Sequence, residues 1–564
     1  MRKYPLILLF LIIRIYSHAQ EVPEHISNSG IYEFLDEMAN QQVITLNSVV
    51  KPYAGILIAH KLQEAALSKA KLNKRQQYQL DFYLRVYRLE TGNNTKSSQD
   101  VDIFRKNNLS LSLLPTGVFY KDSLFSMSLQ PILGYETWSN SNGSIYHSWG
   151  GLDFKAYIGK HWSIYSNLRD NHESELMADP TYFTQEPGGN YKVNEGGRIG
   201  GDYSEMRGGI IYSWNWGSFG LIKDHFEWGN NYHGSNIFSG RTPSFAQLSL
   251  HLHPVKWLDF HYIHGWLVSE VVDSDRTYNY GYGTRTIFRE KYIAANIFTI
   301  TPYKRLNFSF GNSIIYSDIN VQPAYLIPFL FYKSVDHTLN HNIVNQNSQM
   351  FFDISSRQIK HLHLYTSIFI DEFSISRVGD KNKNNFISWK FGSHLSNLFN
   401  NNIMLTAEYT QTSPMTYQHT IPATTFASNK YNLGHYLRDN SREIFLSVNY
   451  KPYKQLILLG SYMLAQHGND YIYDGSPQSI THPFMKDITW QNQSIFFKAD
   501  YEFAHNSHIF VEYTLSDIKG YNVAGFSESN ILIEYSSSHY LEKYTEPFYR
   551  GKTNTIGAGL YIGI

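Results

Sequence analysis

From about residue 104 onward, apolar and polar residues alternate with a period of two. Leu248, Leu250 and Leu252 alternate with Gln247, Ser249, His251 and His253. Leu362, Leu364, Thr366, Ile368 and Ile370 alternate with His361, His363, Tyr365, Ser367 and Phe369. Ile444, Leu446, Val448 and Tyr450 do so with Glu443, Phe445, Ser447 and Asn449, and Ile509, Val511, Tyr513 and Leu515 with His508, Phe510, Glu512 and Thr514. Successive side chains of a strand point to opposite faces, so each run predicts a strand with one apolar and one mixed face. Many runs last about ten residues, whereas strands of soluble sandwiches average about five or six. That length selects a transmembrane barrel.

The connections alternate short and long. Short ones fall at 159–161, 216–218, 254–256, 302–304, 357–360, 398–401, 452–454 and 504–507. Long polar loops fall at 171–202, 229–243, 273–284, 319–347, 413–440 and 468–488. Three short turns share a pattern, Pro254-Val255-Lys256, Pro302-Tyr303-Lys304 and Pro452-Tyr453-Lys454. There Pro presets the turn and Lys reaches the head-group level. Eight short turns on one side predict 18 strands when both ends of the barrel start from that side. Two segments resist the scheme. Residues 104–138 hold two apolar runs where one strand is wanted, and 519–551 hold a strand-like run (Ile531, Ile533, Tyr535) where a loop is wanted. The chain closes on Ile556, Ala558, Leu560, Ile562 and Ile564, an alternating last strand of the barrel-assembly type.

Residues 30–92 have a helical period instead. Ile31, Phe34, Leu35 and Met38 share one helix face, with Asn28 or Ser29 as N-cap. Ile58, Leu62 and Ala65 repeat the spacing. Leu80, Tyr83, Leu84 and Tyr87 do so again, with Asn73 as cap and Gly92 as stop. At the start, Arg2 and Lys3 precede the apolar run Leu6–Ile13, and Ser17-His18-Ala19 offers a cleavage site before Gln20. The organisation expected is therefore a signal peptide (1–19), a periplasmic three-helix bundle (20–92), a polar linker (93–103) and an outer-membrane barrel (104–564). The fold class is an all-β transmembrane barrel of about 18 antiparallel strands with a small helical head.

Composition supports this. Aromatic residues make up 16% and charged residues 17% of the chain. The mean hydropathy is −0.36, and no helix-length apolar stretch follows the N-terminus. Lys+Arg 48 balance Asp+Glu 48, so nucleic acid is not an expected partner. Cysteine is absent, which excludes disulfides, thiolate metal sites and a lipidated cysteine.

Candidate chemistry is sparse. No G-x-S-x-G, H-E-x-x-H or Walker A motif occurs. His251 with His253, and His361 with His363, share strand faces and could chelate a metal, but polar strand faces accept histidine anyway. No metal or cofactor is assigned. Asp371 and Glu372 are sequential on a strand and cannot both serve one site. Glu173 with Glu175, or Glu186 with Glu195, could pair in a loop, and nothing singles them out. The richest stretch is 224–245, with Asp224, His225, Phe226, Glu227, Trp228, Asn230, Asn231, Tyr232, His233 and Arg241. Two readings fit it: aromatic faces and amides that bind sugar, or a lumen-plugging loop whose polar groups satisfy one another.

The chain resembles the Wzi capsule-assembly family of Gram-negative outer-membrane proteins. The resemblance rests on Gly220-Leu221-Ile222-Lys223, Trp228-Gly229, Gly234-Ser235, Ser239, Pro243 and Phe245. It also rests on Asn347 to Asp353 with Tyr365 and Asp371-Glu372-Phe373, and on the order of signal peptide, helices and barrel. Asn230-Asn231 and Ser235-Asn236-Ile237 depart from the family pattern. Ile31-Tyr32-Glu33-Phe34-Leu35-Asp36-Glu37 and Lys51-Pro52-Tyr53 look more like a Wzi-like branch found in gliding bacteria. The resemblance implies a non-enzymatic outer-membrane protein that binds or anchors surface polysaccharide and assists capsule assembly. Glu227, Trp228, Asn231, Arg241 and Asp371 are the expected glycan-binding residues. The partners implied are surface polysaccharide, outer-membrane lipid and other envelope proteins. The alternatives are a motility or adhesion component acting through residues 30–92, and a passive porin-like channel.

Overall fold

A computed structural model describes residues 20–91, 101–193, 200–340, 346–380, 382–398, 402–526 and 532–563. The predicted signal peptide, positions 92–100, Ile531 and Ile564 lie outside these described residues. The alternating region closes into an antiparallel barrel of 18 strands. Its last strand, Gly551–Ile562, pairs with its first, Phe125–Asn140, from Ile556↔Ser139 to Ile562↔Leu133. Closure leaves no edge, so backbone donors and acceptors are satisfied from strand to strand.

Side-chain parity follows the sequence. Ile444, Leu446, Val448 and Tyr450 are exposed on the outer face, while Glu443, Phe445 and Ser447 are buried toward the lumen. Ile509 and Val511 are likewise exposed, with His508 and Phe510 buried. So wide an exposed apolar wall is stable only against lipid. Trp162, Trp216, Trp257, Tyr303 and Tyr453 are exposed at the short-turn end, where an aromatic girdle belongs. Gly557 leaves room inside this wall: a Cβ there would lie 2.5 Å from the Trp138 ring.

The turns differ from expectation in one detail. Pro254, Pro302 and Pro452 do not form the turns. Each sits just before one, where the ladder shifts register (Leu252/Val255, Ile300/Tyr303 and Tyr450/Tyr453). Pro has no N–H to donate, so a bulge tolerates it better than a regular ladder does. The turns fall at Lys256-Trp257, Lys304-Arg305 and Lys454-Gln455.

The two segments that resisted the strand count form structures outside the closed ladder. Val101–Lys106, Leu109–Leu114 and Thr116–Lys121 make an antiparallel flap. It pairs with Ser126–Leu129, the lower part of the first strand, whose upper part Leu133–Ser139 closes the barrel. The closed barrel therefore begins at Phe125 rather than at 104. At the other end of the chain, Val523–Phe526 pairs with Leu532–Tyr535 as a hairpin beyond the strand ends. The helix Ser537–Tyr544 follows. It packs on Gly520, where a Cβ would meet the Ser537 carbonyl oxygen at 2.1 Å.

Among the described residues, three helices of twelve or thirteen residues precede the barrel, α1 (Ser29–Asn40), α2 (Gly55–Ala66) and α3 (Lys74–Val86), followed by one further turn, Arg88–Thr91. Ile31, Phe34, Leu35, Met38, Ile58, Leu62, Leu80 and Tyr83 form one buried core, as the helical period requires. Asn73 caps α3 in a reciprocal capping box with Gln76. Asn28 makes no such cap; its side-chain amide donates to Glu24 Oε1 at 2.9 Å instead. Ion pairs dock the helices on the short-turn end: Asp36 with Arg357 at 2.6 Å, Glu33 with Lys451 at 3.1 Å and Glu24 with Lys155 at 3.3 Å.

One connection lies against the outer wall. Asn296 and Asn312 sit on the lipid-side face, in register with exposed Phe308 and Phe310, yet they are buried. Residues 323–340 cover them. Asn296 Nδ2 donates to the carbonyl oxygens of Pro328 and Leu330 at 2.8 and 3.0 Å. Asn312 Oδ1 accepts from Tyr332 N at 2.9 Å, and Tyr262 Oη donates to the Tyr325 carbonyl at 2.9 Å. Ile327, Phe329, Phe331 and Leu339 of this strap are exposed. Irregular backbone beside lipid must find its partners in protein, and the two asparagines supply them.

Asn296→Leu should therefore loosen the strap: the Pro328 carbonyl loses its donor and the Leu330 carbonyl keeps only Asn312 Nδ2 at 3.3 Å, at a cost of about 1–3 kcal/mol. Protease cleavage within 321–340 of liposome-embedded protein should rise, while the barrel keeps its heat-modifiable mobility on gels.

Candidate functional site

The connection after Gly217–Asp224 turns into the lumen. Residues 50 and 51 rise from the helical head and pair with it, Val50↔Trp228 and Lys51↔Glu227. Lys51 Nζ lies 2.9 Å from Glu227 Oε1. Trp228 is 1% exposed, packed with Phe226, Ile237, Phe238, Phe245 and Phe351 in an apolar core inside the barrel. Gly229 takes φ +99°, a conformation that favours glycine. Beside it, Asp353 accepts from Asn230 N at 2.9 Å and Asn230 Nδ2 at 2.5 Å, and from the Ser367 hydroxyl.

Two long loops lock over this plug. Residues 413–440 cross the mouth, where Asn429 N donates to the Val268 carbonyl at 3.0 Å and Ser239 N donates to Leu433 at 2.8 Å. The Tyr417 hydroxyl donates to the Asn236 carbonyl at 2.6 Å. From the loop after Trp162–Glu173, the carbonyls of Ala178 and Gly189 accept from Tyr431, and that of Pro180 accepts from Arg438. Phe183 stacks on Tyr544 at 4.2 Å. Among the described residues, plug and loops fill the upper lumen.

The structure gathers four of the five expected site residues in or beside the plug and sets the fifth at the rim. Glu227 is paired with Lys51. Trp228 has no ring face open to a sugar. Asn231 Nδ2 donates to the Gly229 carbonyl at 2.9 Å. Arg241 is buried, donates to the Tyr182 carbonyl at 3.0 Å and covers the Tyr431 ring at 5.3 Å. Asp371 accepts from Tyr417 N at 2.7 Å and anchors the crossing loop. Of the two readings for 224–245, this geometry is the plug. Sequence reasoning passed over the charges that hold it. Lys390 and Glu408, both buried on inward strand faces, pair at 3.1 Å. Glu408 also accepts from Tyr232 N at 2.7 Å. Charged residues at inward positions of the alternation are the signal that could have found them.

The surface left for a ligand is the loop rim above the plug. Arg377 pairs with Glu372 at 2.6 Å and lies over the Phe386 ring at 5.9 Å. The Tyr473 hydroxyl donates to Glu372 Oε2 at 2.8 Å, and Tyr471 stacks on His482 at 4.2 Å. These rings are half-buried except Phe386, and Ile375 and Ile472 beside them are exposed. On a separate hairpin, Tyr278, Tyr280 and Tyr282 are exposed. Aromatic faces with adjoining charges can stack on sugar rings and bond their hydroxyls.

No family model and no curated sequence matches the chain. Among solved structures it is similar to Wzi of Escherichia coli, described as an outer membrane protein involved in group 1 capsule assembly and a carbohydrate-binding β-barrel. The TM-score is 0.55 at 11% identity, covering 97% of this chain and 100% of that one. OccAB2 of Acinetobacter baumannii aligns at TM-score 0.40 and 9% identity, over 78% of this chain and 99% of that one. OprD of Pseudomonas aeruginosa aligns at TM-score 0.39 and 8% identity, over 77% and 94%. The first likeness is one of fold: an 18-stranded outer-membrane type of barrel with a helical head.

Trp228→Ala should cost the plug about 3–5 kcal/mol and raise the ion conductance of the protein in planar bilayers above a nearly silent wild type. The loops also carry a pH dependence. Burial, reinforced by Asp470, pushes the Asp439 carboxyl up to about 7, and burial, reinforced by Glu186 and Glu175, pushes Glu546 up to about 8. Both values exceed the ordinary 3.8 and 4.5, so the opened state ionises first. Loop closure is then strongest below pH about 4 and weakens until pH about 8. Protease nicking of 413–440 should be slower at pH 5 than at pH 9.

Proposed function

We propose that this protein binds or anchors surface polysaccharide at the outer face of the outer membrane, without catalysing a reaction, and assists capsule assembly. The short-turn end with its helices faces the periplasm, and the N-terminal residues 1–19 direct export. The observation that carries the reading is the pairing of a filled lumen with an aromatic and charged rim. A solute cannot pass a plug held by buried aromatics, so a ligand is met at the loops. There Tyr471, Tyr473, His482, Arg377 and Glu372 offer ring faces beside hydrogen-bonding groups. The plug residues Glu227, Trp228, Asn231 and Arg241 act by positioning this rim, and Asp371 by fixing the loop beside it. Wzi, described as carbohydrate binding, supports the same reading.

Tyr473→Ala combined with Arg377→Ala should weaken binding of purified protein to cell-surface polysaccharide about tenfold, some 1.4 kcal/mol, and increase polysaccharide shed by cells. Unchanged retention together with lost surface spreading would move the function to motility or adhesion through envelope partners. Strong conductance by the wild type would instead support a porin.

A further inference from the structure

A hollow of about 1070 Å³ lies between the helical head and the barrel wall at the short-turn end. Five side chains with metal-ligating atoms line one side of it. His251 and His253 lie two apart on the inward face of Phe245–Val255. Asp259 and His261 occupy the inward face of the next strand, Leu258–Leu267, where His261 stands directly opposite His251. Glu21 reaches in from the segment that precedes the helices.

The geometry is close. The His251 and His261 rings stack at 4.2 Å and 7°. Asp259 sits between them, with Oδ2 3.2 Å from His251 Nε2 and Oδ1 2.8 Å from His261 Nε2. Glu21 Oε1 is 3.5 Å from His251 Nδ1, and its other oxygen accepts from the Ser218 hydroxyl at 2.6 Å. The His253 ring lies 5.1 Å from that of His251. One ligating atom each from Glu21, His251 and His253 falls within a 4.8 Å group, and so does one each from His251, Asp259 and His261. Ligands around a tetrahedral ion sit about 3.3 Å apart when metal–nitrogen distances are about 2.0–2.1 Å. Small side-chain rotations close the gap.

Charge points the same way. Among the described residues, the ion-pair partners of Glu21 and Asp259 are imidazoles, with no Lys or Arg. Either protons on those imidazoles or a divalent cation must balance the two carboxylates. Imidazole with carboxylate suits zinc, nickel or copper better than calcium or magnesium. The hollow gives such an ion a path in from solvent at the short-turn mouth.

We infer that Glu21, His251 through Nδ1 and His253 form a binding site for a divalent transition-metal ion of the zinc class, with Asp259 holding the opposite nitrogen, His251 Nε2, and so orienting the ring. Since Glu21 belongs to the N-terminal segment and the two histidines to one barrel strand, the ion clamps that segment to the barrel wall. The inference is independent of the polysaccharide reading, because the site lies at the opposite end of the barrel.

The test uses the full mature chain, untagged, in detergent and freed of metal by chelation. Titration with zinc chloride should show one ion bound per chain in the micromolar range or tighter. Cobalt chloride should give the visible absorption of a low-symmetry nitrogen–oxygen site. His251→Gln and His253→Gln should each weaken zinc binding about 100-fold or more, whereas His172→Gln, at the other end of the barrel, should bind as the wild type does. If the strand variants lose the heat-modifiable folded form, Glu21→Gln, which lies outside the strands, should still lower affinity about tenfold. Absence of zinc binding by the wild type would overturn the proposal. So would unchanged binding by His251→Gln or, where that variant does not fold, by Glu21→Gln; the cluster would then be a proton-balanced hydrogen-bond network.

Discussion

A backbone amide in hydrocarbon has no water to fall back on, and the rest of this structure depends on that constraint. Closing eighteen strands satisfies the backbone groups of the wall. It also sorts the side chains, because the period of two sends every second residue to lipid and the others inward. The same requirement governs the strap at 323–340. Its backbone can run beside lipid because Asn296 and Asn312, polar residues on an otherwise apolar face, are there to bond it.

Closure creates a second problem. A barrel of this circumference is too wide for its own inward side chains to fill. Here the chain folds four of its own segments inward: the helical head from below, residues 225–244 at mid-height, and the loops 413–440 and 174–193 from above. They interlock, so that Val50-Lys51 pairs with the plug, and the plug in turn with the crossing loop. Buried ion pairs such as Lys390–Glu408 and Arg357–Asp36 give this filling a defined orientation at some desolvation cost. A filled lumen makes the rim, rather than a pore, the natural meeting place for a ligand.

Much of the fold was legible in the alternation. The described short turns lie at or within about two residues of the polar breaks, residues 399–401 lying outside the described residues, and the strand count of 18 agrees with their number. The helical faces Ile31-Phe34-Leu35-Met38 and Leu80-Tyr83 are buried as their spacing demands. The site was less legible. Trp228 in a polar, glycine-rich stretch has the composition of a sugar-binding loop, but it also has the composition of a plug, and composition does not say which way a loop folds. Its burial by Phe238 and Phe351, the latter over a hundred residues away, decides the matter. The flap at 101–121 misled the placing of the barrel's first residue for a related reason: its strands alternate like those of the wall, yet they pair with one another and join the wall only at the lower part of the first strand.

Local periodicity, then, determined which residues face lipid, where the chain turns, how many strands there are and which segment is helical, because these depend on neighbours in sequence. The tertiary structure alone decided which loops enter the lumen, which one lies on the outer wall, and that His251 meets His261, Asp259 and Glu21. Those outcomes rest on strand register and on contacts between distant segments. Two polar loops of the same composition satisfy their hydrogen bonds equally well inside the barrel or above it until the geometry of closure supplies partners for one and not the other.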